Sequence, residues 1–494
     1  MSMIEISNLT FAYDGSYDNI FDNVSLRLDT DWRLGLVGRN GRGKTTLLNL
    51  LQHKYEYRGT IRADVPFDYF PFAIPDPDKD AIGVIEDVQP YYEYWQLARE
   101  MHRLDLSDEM LYRPFRSLSG GEQVRLLLAL LFARDNRFLL IDEPTNHLDA
   151  EARALVADYL KTKRGFLLVS HDRAFLDSCV DHILSINKAN IELQKGNFSS
   201  WFANKERQDA FEQAENDRLR ADIRRLDEAA KRAARWSDKT ESEKHVRNSG
   251  LRPDRGYIGH KSAKMMQRAK SIEARRLDAA EEKAGLLHNI ERADDLKLHP
   301  LAYRADVLAE LTDVAVQYGG APVVEGVRLT VRHGARIALT GRNGSGKSSL
   351  LKLLLGESIP HSGTVETMSG LVISYVSQST DHLRGSLTDF AREQGLDGSR
   401  FRTILRKLDF PREQFERDLA DYSSGQKKKV LLAASLCTQA HLYVWDEPLN
   451  FIDVISRMQV EDLLLACRPT LLFVEHDARF CEKIATRRIQ VARA

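Results

Sequence analysis

The feature that most constrains this chain is a glycine-rich loop that occurs twice. Loop 1 is Gly38, Arg39, Asn40, Gly41, Arg42, Gly43, Lys44, Thr45 and Thr46, and loop 2 is Gly341, Arg342, Asn343, Gly344, Ser345, Gly346, Lys347, Ser348 and Ser349. The two lysines, Lys44 and Lys347, are 303 residues apart. The acidic pairs that follow the loops begin at Asp142 and Asp446, which are 304 residues apart. An offset this constant indicates an internal duplication of one folding unit.

Each loop has the sequence context of a phosphate-binding loop. Residues 34–37 form a short apolar strand pattern before loop 1, and residues 46–51 have the pattern of a helix start. The glycines let backbone N–H groups surround phosphate oxygens, the lysine adds positive charge, and the hydroxyl of Thr45 or Ser348 can ligate Mg²⁺. The sequence therefore predicts two sites for ATP and Mg²⁺.

The length and the apolar runs predict a two-domain α/β architecture. The chain has 494 residues, enough for two domains of roughly 200 residues and a connector. Near-continuous apolar runs at 138–141, 165–170, 441–445 and 470–474 are typical of parallel strands that are buried on both faces. We expect a first domain at 1–202, a helical connector at 203–303 and a second domain at 304–494.

The connector differs in composition from both domains. Ala, Glu, Lys and Arg dominate residues 203–300, and turn-forming residues at 248–260 predict a helical hairpin with a basic tip at about 237–262. Residues 231–275 contain thirteen Lys and Arg against five Asp and Glu. Aromatic side chains among basic ones suit RNA. The predicted RNA contacts are Trp236, Lys244, Arg247, Arg252, Arg255, Tyr257, His260, Lys261 and Lys264. A solvated charged spacer is the alternative interpretation.

The net charge, the cysteine content and the apolar runs indicate in which cellular compartment the protein is expected. The net charge is −1, so only the connector is locally basic. Four cysteines form no CxxC pair and suit a reducing cytoplasm. No apolar run approaches the ~18 residues that cross a bilayer. We therefore expect a cytoplasmic protein that does not itself form a membrane pore.

The acidic pairs predict the chemistry at each loop. Asp142 and Asp446 end apolar strands, where a carboxylate can hold Mg²⁺ through water. Glu143 and Glu447 follow directly, at the place where a base can orient an attacking water molecule. The sequence therefore predicts ATP hydrolysis at both sites.

A serine-glycine segment opens a helix upstream of each acidic pair. The segments are Ser119, Gly120, Gly121 and Glu122 in the first repeat, and Ser423, Ser424, Gly425 and Gln426 in the second. A hydroxyl and exposed N–H groups at a helix N-terminus form a second surface for anions. A loop that already surrounds its nucleotide leaves no room for its own segment. We therefore predict a head-to-tail arrangement in which each ATP lies between the loop of one repeat and the segment of the other.

These motifs resemble a known family. LSGGE, LIDEPTNHLD and SHD in the first repeat, and YSSGQ, VWDEPLNFID and EHD in the second, are similar to the ATP-binding cassette superfamily. Twin cassettes without membrane spans and with a charged helical linker resemble the ABC-F translation factors. The runs GYIGHKSAKMM, YSSGQKKKV and DEPLNFIDVISR are similar to its antibiotic-resistance branch of Lsa, Vga and Sal type.

The resemblance implies further roles and partners. It implies that His171 and His476 sense the γ-phosphate and that Tyr13 and Tyr318 stack on adenine. It also places Asp149 and Asp453 in the contact loops between the domains. The implied partner is the ribosome, through large-subunit RNA and P-site tRNA, and the resemblance implies neither a membrane nor a DNA partner.

Two departures from the family pattern set the sites apart. Gln378 matches the glutamine that touches Mg²⁺, but the corresponding stretch of the first repeat, residues 68–72, contains no glutamine. Ser424 stands where the family pattern has a glycine. Both departures affect the site built from loop 1, so we expect the two sites to turn over ATP unequally.

Four functions are compatible with this sequence. The first is an ATP-dependent factor that protects the ribosome from lincosamide, pleuromutilin and streptogramin A antibiotics by inserting its linker tip toward the peptidyl-transferase centre. The second is a general ABC-F translation factor that relieves stalled ribosomes. A transporter ATPase subunit does not need a basic tip, and a DNA-repair ATPase would need longer coiled coils or zinc cysteines. The sequence therefore favours the two ribosomal functions.

Overall fold

The computed structural model describes most of the chain. The described residues are 2–15, 19–146, 148–187, 190–242, 260, 263, 264, 266, 267, 270–272, 274, 275, 278, 296–318 and 321–492. They divide into two compact units. The first unit comprises the described residues of 1–187, 191–199 and 293–494, and the second comprises those of 188–190 and 200–292. Both phosphate loops therefore belong to the same unit.

The first repeat is a mixed α/β domain. Its strands are β1 (Met3–Phe11), β2 (Phe21–Asp29), β3 (Arg33–Val37), β4 (Arg58–Ala63), β5 (Phe67–Phe70), β6 (Phe138–Asp142), β7 (Phe166–Val169), β8 (His182–Ile186) and β9 (Ile191–Lys195). Its helices are α1 (Lys44–Leu51), α2 (Ala81–Val88), α3 (Tyr94–Arg103), α4 (Gly120–Phe132), α5 (Ala150–Lys161) and α6 (Arg173–Cys179), with 3₁₀ turns at Asp108–Tyr112 and Phe115–Ser117.

The second repeat has the same order of elements, except that its described residues contain no counterpart of β9. Its strands are β10 (Val307–Tyr318), β11 (Ala321–Arg332), β12 (Arg336–Thr340), β13 (His361–Thr367), β14 (Ile373–Val376), β15 (Leu442–Asp446), β16 (Leu471–Val474) and β17 (Arg487–Gln490). Its helices are α8 (Lys347–Leu354), α9 (Leu387–Glu393), α10 (Gly398–Lys407), α11 (Ser424–Cys437), α12 (Val454–Cys467) and α13 (Ala478–Ile484), with 3₁₀ turns at Arg412–Glu416 and Leu419–Asp421.

Each repeat contains a larger sheet, parallel except for the antiparallel pair β8-β9 in the first repeat, and a smaller antiparallel sheet. The larger sheets have the orders β5-β6-β7-β3-β8-β9 and β14-β15-β16-β12-β17, and the smaller ones have the orders β2-β1-β4 and β11-β10-β13. The apolar runs at 138–141, 165–170, 441–445 and 470–474 correspond to β6, β7, β15 and β16, whose apolar residues are buried. The α/β prediction is confirmed.

The strand order explains where the predicted functional residues meet. Strand β7 pairs in parallel with both β6 and β3, so the three strands end at one edge of the sheet. Loop 1 follows β3, Glu143 follows β6, and His171 lies two residues beyond β7. Ligand sites in parallel sheets form beyond the carboxyl ends of the strands. In the second repeat β12, β15 and β16 pair in the same way.

Apolar packing holds α1 against this sheet. Leu48 and Leu50 of α1 lie in one buried cluster with Leu34 of β3 and Ile4 of β1. Burying side chains of this size contributes about 1.5–3 kcal/mol each. The start of α1, where Lys44 lies, is therefore fixed by the domain core.

The second unit is helical in its described part. Helix α7 (Phe198–Ser242) has 45 residues, so it is about 68 Å long at ~1.5 Å per residue. It begins before the predicted boundary at 202/203, and it includes residues 237–242 of the predicted basic tip. The described residues between 260 and 278 are also helical. In the described part of the chain, no helix combines the length and apolar character of a membrane span.

Candidate nucleotide-binding sites

Both loops adopt the same backbone conformation before a helix. Gly43 and Gly346 precede the helices with φ of 92° and 87°. This left-handed region favours glycine, and a Cβ on Gly43 would lie 2.6 Å from Ile20 Cγ2. Lys44 Nζ donates to Gly38 O at 2.8 Å, and Lys347 Nζ donates to Gly341 O at 2.8 Å. The lysines therefore lie over curved loops of the shape that surrounds a phosphate group.

A hydroxyl and a carboxylate lie together beside each loop, and the carboxylate is half-buried in Asp142 and buried in Asp446. Thr45 Oγ1 donates to Asp142 Oδ2 at 3.1 Å, and Ser348 forms a hydrogen bond with Asp446. Burial is the main cause that raises the pKa of both aspartates. Among the described residues, Asp446 Oδ1 is buried and has no hydrogen-bond partner. Hydroxyl and carboxylate oxygens are the ligands that Mg²⁺ prefers, so both sets fit the ion.

The two acidic pairs continue into glutamates that face histidines. Glu143 and Glu447 have φ of 51° and 50°, a left-handed conformation that is uncommon outside glycine. Nε2 of His171 lies 3.0 Å from Oε1 of Glu143, and Nε2 of His476 lies 3.5 Å from Oε1 of Glu447. The structure therefore brings each predicted base together with its predicted histidine. Strained residues of this kind cluster at functional sites.

The two glutamates differ in their acidity. Burial, followed by the charge of Asp142, raises the pKa of Glu143 to about 8. Burial also acts on Glu447, but hydrogen bonds from His476 and Gln378 outweigh it, and the pKa of Glu447 is lowered. Gln378 is the residue that has no glutamine counterpart in the first repeat. The missing glutamine therefore coincides with a less acidic glutamate.

The first cavity combines residues of both repeats. Its volume is about 700 Å³. The first repeat lines it with Tyr13, Asn40, Gly41, Gly43, Lys44, Thr45, Thr46, Asp142, Glu143 and His171, and the second repeat adds Ser423, Ser424 and Gly425. Phe70 and Pro71 lie in the wall where a glutamine was missing from the sequence. This cavity is named the first site.

The second cavity has the reciprocal composition. Its volume is about 580 Å³. The second repeat lines it with Tyr318, Asn343, Gly344, Gly346, Lys347, Ser348, Ser349, Gln378, Glu447 and His476, and the first repeat adds Gly120. Asn343 N donates to Asp149 Oδ2 at 3.4 Å, which is the inter-repeat contact expected of Asp149. This cavity is named the second site, and the two cavities together have the predicted head-to-tail arrangement.

The exposed tyrosines face their loops in both repeats. The hydroxyl of Tyr13 is 2.8 Å from Thr46 Oγ1, and the hydroxyl of Tyr318 is 3.0 Å from Ser349 Oγ. Their rings lie at the cavity rims and remain exposed. An exposed ring at this position is available to stack on a planar base.

Other predicted residues lie near the cavities without lining them. These are Gly38, Arg39, Arg42 and Gln426 near the first site, and Gly341, Arg342, Ser345, Ser119, Gly121, Glu122 and Asp446 near the second. Ser119 Oγ donates to Glu122 Oε2 at 2.8 Å, and Glu122 N donates to Ser119 Oγ at 3.3 Å. This capping box starts α4. The Ser119 hydroxyl is thus used within its own segment.

Sequence reasoning missed two buried lysines. Lys428 Nζ donates to Ser377 O at 2.9 Å beside the second site. Lys429 Nζ is 2.9 Å from Asp453 Oδ2, the other aspartate expected at the contact between the domains. Burial lowers the pKa of Lys428, while the nearby carboxylates of Glu475 and Glu447 act in the opposite direction. The run of lysines in α11 was the available signal, but it resembles a solvated charged surface.

The predicted RNA-contact residues fall mainly outside the described residues. Lys244, Arg247, Arg252, Arg255, Tyr257 and Lys261 lie there. Trp236 belongs to α7, and His260 and Lys264 are helical and exposed. The geometry of the candidate RNA contacts therefore stays a prediction.

Two cavities of this kind define a class of protein. A phosphate loop, a strand-end carboxylate pair and a histidine from one repeat face a serine-glycine segment from the other, twice. This is the architecture of a tandem nucleotide-binding ATPase, in which each site is completed by the partner repeat.

Comparisons with known proteins identify the family. The family model described as ABC transporter matches residues 21–146 and 324–450. The chain is 27% identical over 497 residues to the Bacillus subtilis ribosome protection protein VmlR, covering 99% of this chain and 87% of that protein. It is 30% identical over 486 residues to the Caulobacter vibrioides ATP-binding protein Uup, covering 94% and 74%. The chain belongs to the ABC transporter family, and these two relatives are ABC-F proteins.

Solved structures support the same fold. An archaeal ribosome recycling factor, aABCE1, crystallised with the ribosomal stalk protein aP1, matches with a TM-score of 0.61 and 19% identity. The match covers 93% of this chain and 83% of that one. At this identity, the likeness extends to the tandem-cassette fold alone.

Proposed function

We propose that this ATPase binds the ribosome in its ATP-bound, closed form and protects it from antibiotics by inserting the linker tip toward the peptidyl-transferase centre. The observation that carries the proposal is the pair of cavities shared by the two cassettes, because ligand held by both repeats favours the closed form. The likeness to VmlR, a ribosome protection protein, over 99% of this chain supports the target. The expected contacts are large-subunit RNA and P-site tRNA.

The chain's own residues have distinct proposed roles in hydrolysis. Lys44 and Lys347 contact the phosphates, and Glu143 and Glu447 orient the attacking water through a carboxylate oxygen. His171 and His476 lie within 3.0 and 3.5 Å of these glutamates and hold them in place. Mg²⁺ would be held by Thr45 and Asp142, or by Ser348, Asp446 and Gln378, and would offset phosphate charge.

The antibiotic class is proposed from the linker sequence. The similarity to the Lsa, Vga and Sal branch favours lincosamides, pleuromutilins and streptogramin A. A general translation factor that relieves stalled ribosomes is the second candidate, since ATP-binding proteins such as Uup match as well as VmlR does. Susceptibility of a sensitive host that expresses this chain, measured across these drugs, macrolides and phenicols, separates the two functions.

The trapped closed state tests ribosome binding. Glu143→Gln with Glu447→Gln removes the groups that orient water while leaving both loops intact. We expect this double variant to co-sediment with ribosomes in ATP and to inhibit growth. The matched control is Glu109→Gln with Glu393→Gln, because these are exposed glutamates, one in each repeat, outside both cavities. Release of the double variant as fast as the unaltered protein would contradict the proposal.

Replacement of the linker tip tests where protection resides. We expect exchange of residues 242–259 for a short Gly/Ser turn to preserve ATP hydrolysis and most ribosome binding, and to abolish drug protection. Tyr257→Ala should alter the drug spectrum unevenly, since drugs occupy different parts of one pocket. Residual binding through phosphate contacts should weaken with salt. Full protection by the shortened chain would favour the general translation factor.

A further inference from the structure

Asp409 of the second cassette faces loop 1 of the first. It follows α10 in a tight turn with φ of 57°, and its N–H donates to Arg406 O at 2.9 Å. Its Oδ2 is 3.6 Å from Nη1 of Arg39 and 3.9 Å from Nη2 of Arg42. One carboxylate of the second cassette thus lies between two guanidinium groups of loop 1.

Because these side chains are largely buried, breaking their ion pairs should cost more free energy than breaking exposed pairs. The side chains of Arg39, Arg42 and Asp409 are 6%, 30% and 31% exposed. A charge that is removed from water needs an opposite charge nearby, and the loss of one partner costs more than an exposed pair does. Arg39 is the charge for which this matters most. In the first site, Asp409 therefore lies close enough to act as a counter-ion to loop 1.

A buried lysine supports the turn from behind. Lys429 Nζ donates to Leu408 O at 2.7 Å and pairs with Asp453 Oδ2 at 2.9 Å. Nearby, Asn40 Nδ2 of loop 1 donates to Phe451 O at 2.9 Å. The turn and the Asp453 loop are thus held together where both approach loop 1.

The first cassette has the same turn, but among the described residues the turn makes no such pair with loop 2. Asp105 follows α3 with φ of 53°, and Arg125 Nη1 donates to Leu104 O at 3.0 Å, as Lys429 does to Leu408. Loop 2, however, has Ser345 where loop 1 has Arg42. Arg342 pairs with Glu151 at 3.4 Å, and these side chains are 78% and 73% exposed. The second site is therefore covered by a weaker, solvated pair.

We infer that Asp409 is a positioning residue that the second cassette supplies to loop 1, and that it slows opening of the first site and release of its nucleotide. The inference deepens the proposed function at one of its two sites, and it rests on loop 1 holding nucleotide. It does not depend on the ribosome. It predicts that one ATP site retains its ligand longer than the other.

Nucleotide release from single sites tests this role. In a Lys347→Ala background, which disables loop 2, the dissociation rate of a fluorescent non-hydrolysable ATP analogue is measured by displacement. Asp409→Asn should speed release about three- to tenfold, since the pairs are partly buried. Asp409→Glu, which keeps the charge, should stay close to the parent. Added salt should reduce the difference between Asn and Asp.

The matched control is Asp105→Asn, the same turn in the first cassette. It should leave release from the first site unchanged. Equal acceleration by Asp105→Asn and Asp409→Asn, equal acceleration by Asp409→Asn and Asp409→Glu, or unchanged release in Asp409→Asn would each overturn the inference. Lys44→Ala in the same background tests the premise that loop 1 holds nucleotide. Analogue binding that survives this change would show that it does not.

Discussion

The first and second sites have the same backbone arrangement. They differ in the side chains around the glutamate that is proposed to orient the attacking water. Both have a phosphate loop, a carboxylate pair and a histidine in the same positions. The second site adds Gln378 and Lys428, whereas the wall of the first is formed by Phe70 and Pro71. Duplication has therefore kept the frame that binds phosphate while the groups that control hydrolysis have diverged. Equal folds do not imply equal turnover.

The contacts between the cassettes also differ between the sites, but here the first site has the more buried contacts. Loop 1 is held by Asp409 and by the Phe451 carbonyl, while the ion pair of loop 2 is largely solvated. Ser424 also adds a hydroxyl to the wall of the first site. We therefore propose that the first site retains its nucleotide and that the second site carries turnover.

Removal of the distinguishing glutamine should have the largest effect. Gln378→Ala takes away a hydrogen bond to Glu447, and loss of such a supporting contact typically costs about ten- to a hundredfold in activity. Steady-state ATP hydrolysis should fall accordingly. The matched change is Phe72→Ala, which alters the corresponding position of the first repeat. A similar loss from both variants would remove the distinction between the sites.

The pH dependence of single sites should differ by a smaller factor. Burial raises the pKa of Glu143 to about 8, so below this pH its carboxyl is mostly protonated. A protonated carboxyl cannot accept a proton from water. Hydrolysis by a Lys347→Ala variant should therefore rise several-fold from pH 7 to pH 9. The pKa of Glu447 is lowered, so a Lys44→Ala variant should stay nearly flat over this range. Parallel pH profiles would contradict the difference in acidity.

The solvated pair between the cassettes should matter least. Glu151→Gln removes the partner of Arg342, and exposed pairs contribute about 0.2–1 kcal/mol. The free energy of unfolding in urea should therefore change by less than about 1 kcal/mol. Its linear dependence on the urea concentration should keep the same slope. A loss above about 2 kcal/mol would mean that the pair is more buried in solution than its exposure indicates.

The sequence was sufficient for features that depend on local pattern or on the repeat. Loop conformation, the strands that end at Asp142 and Asp446, and the helices capped by Ser119 and Ser423 all follow from short-range rules. The head-to-tail arrangement followed from the geometry of two anion-binding surfaces. These predictions needed no knowledge of distant contacts.

Features that depend on burial and distant packing were not predictable. The pairing of Arg39 with Asp409 joins residues that are remote along the chain, and sequence pattern does not report such contacts. The high pKa of Glu143 arises from desolvation, which is a property of the folded site. Lys428 is buried although lysine is rarely buried, so its residue type gives no signal of its position.

The most direct test compares two single substitutions in steady-state ATP hydrolysis. Each of Glu143→Gln and Glu447→Gln removes one water-orienting carboxylate, and the double variant provides the baseline. The account predicts that Glu447→Gln lowers hydrolysis by about tenfold or more, while Glu143→Gln changes it by about twofold at most. Equal losses, or a larger loss from Glu143→Gln, would contradict the claim that the second site carries turnover.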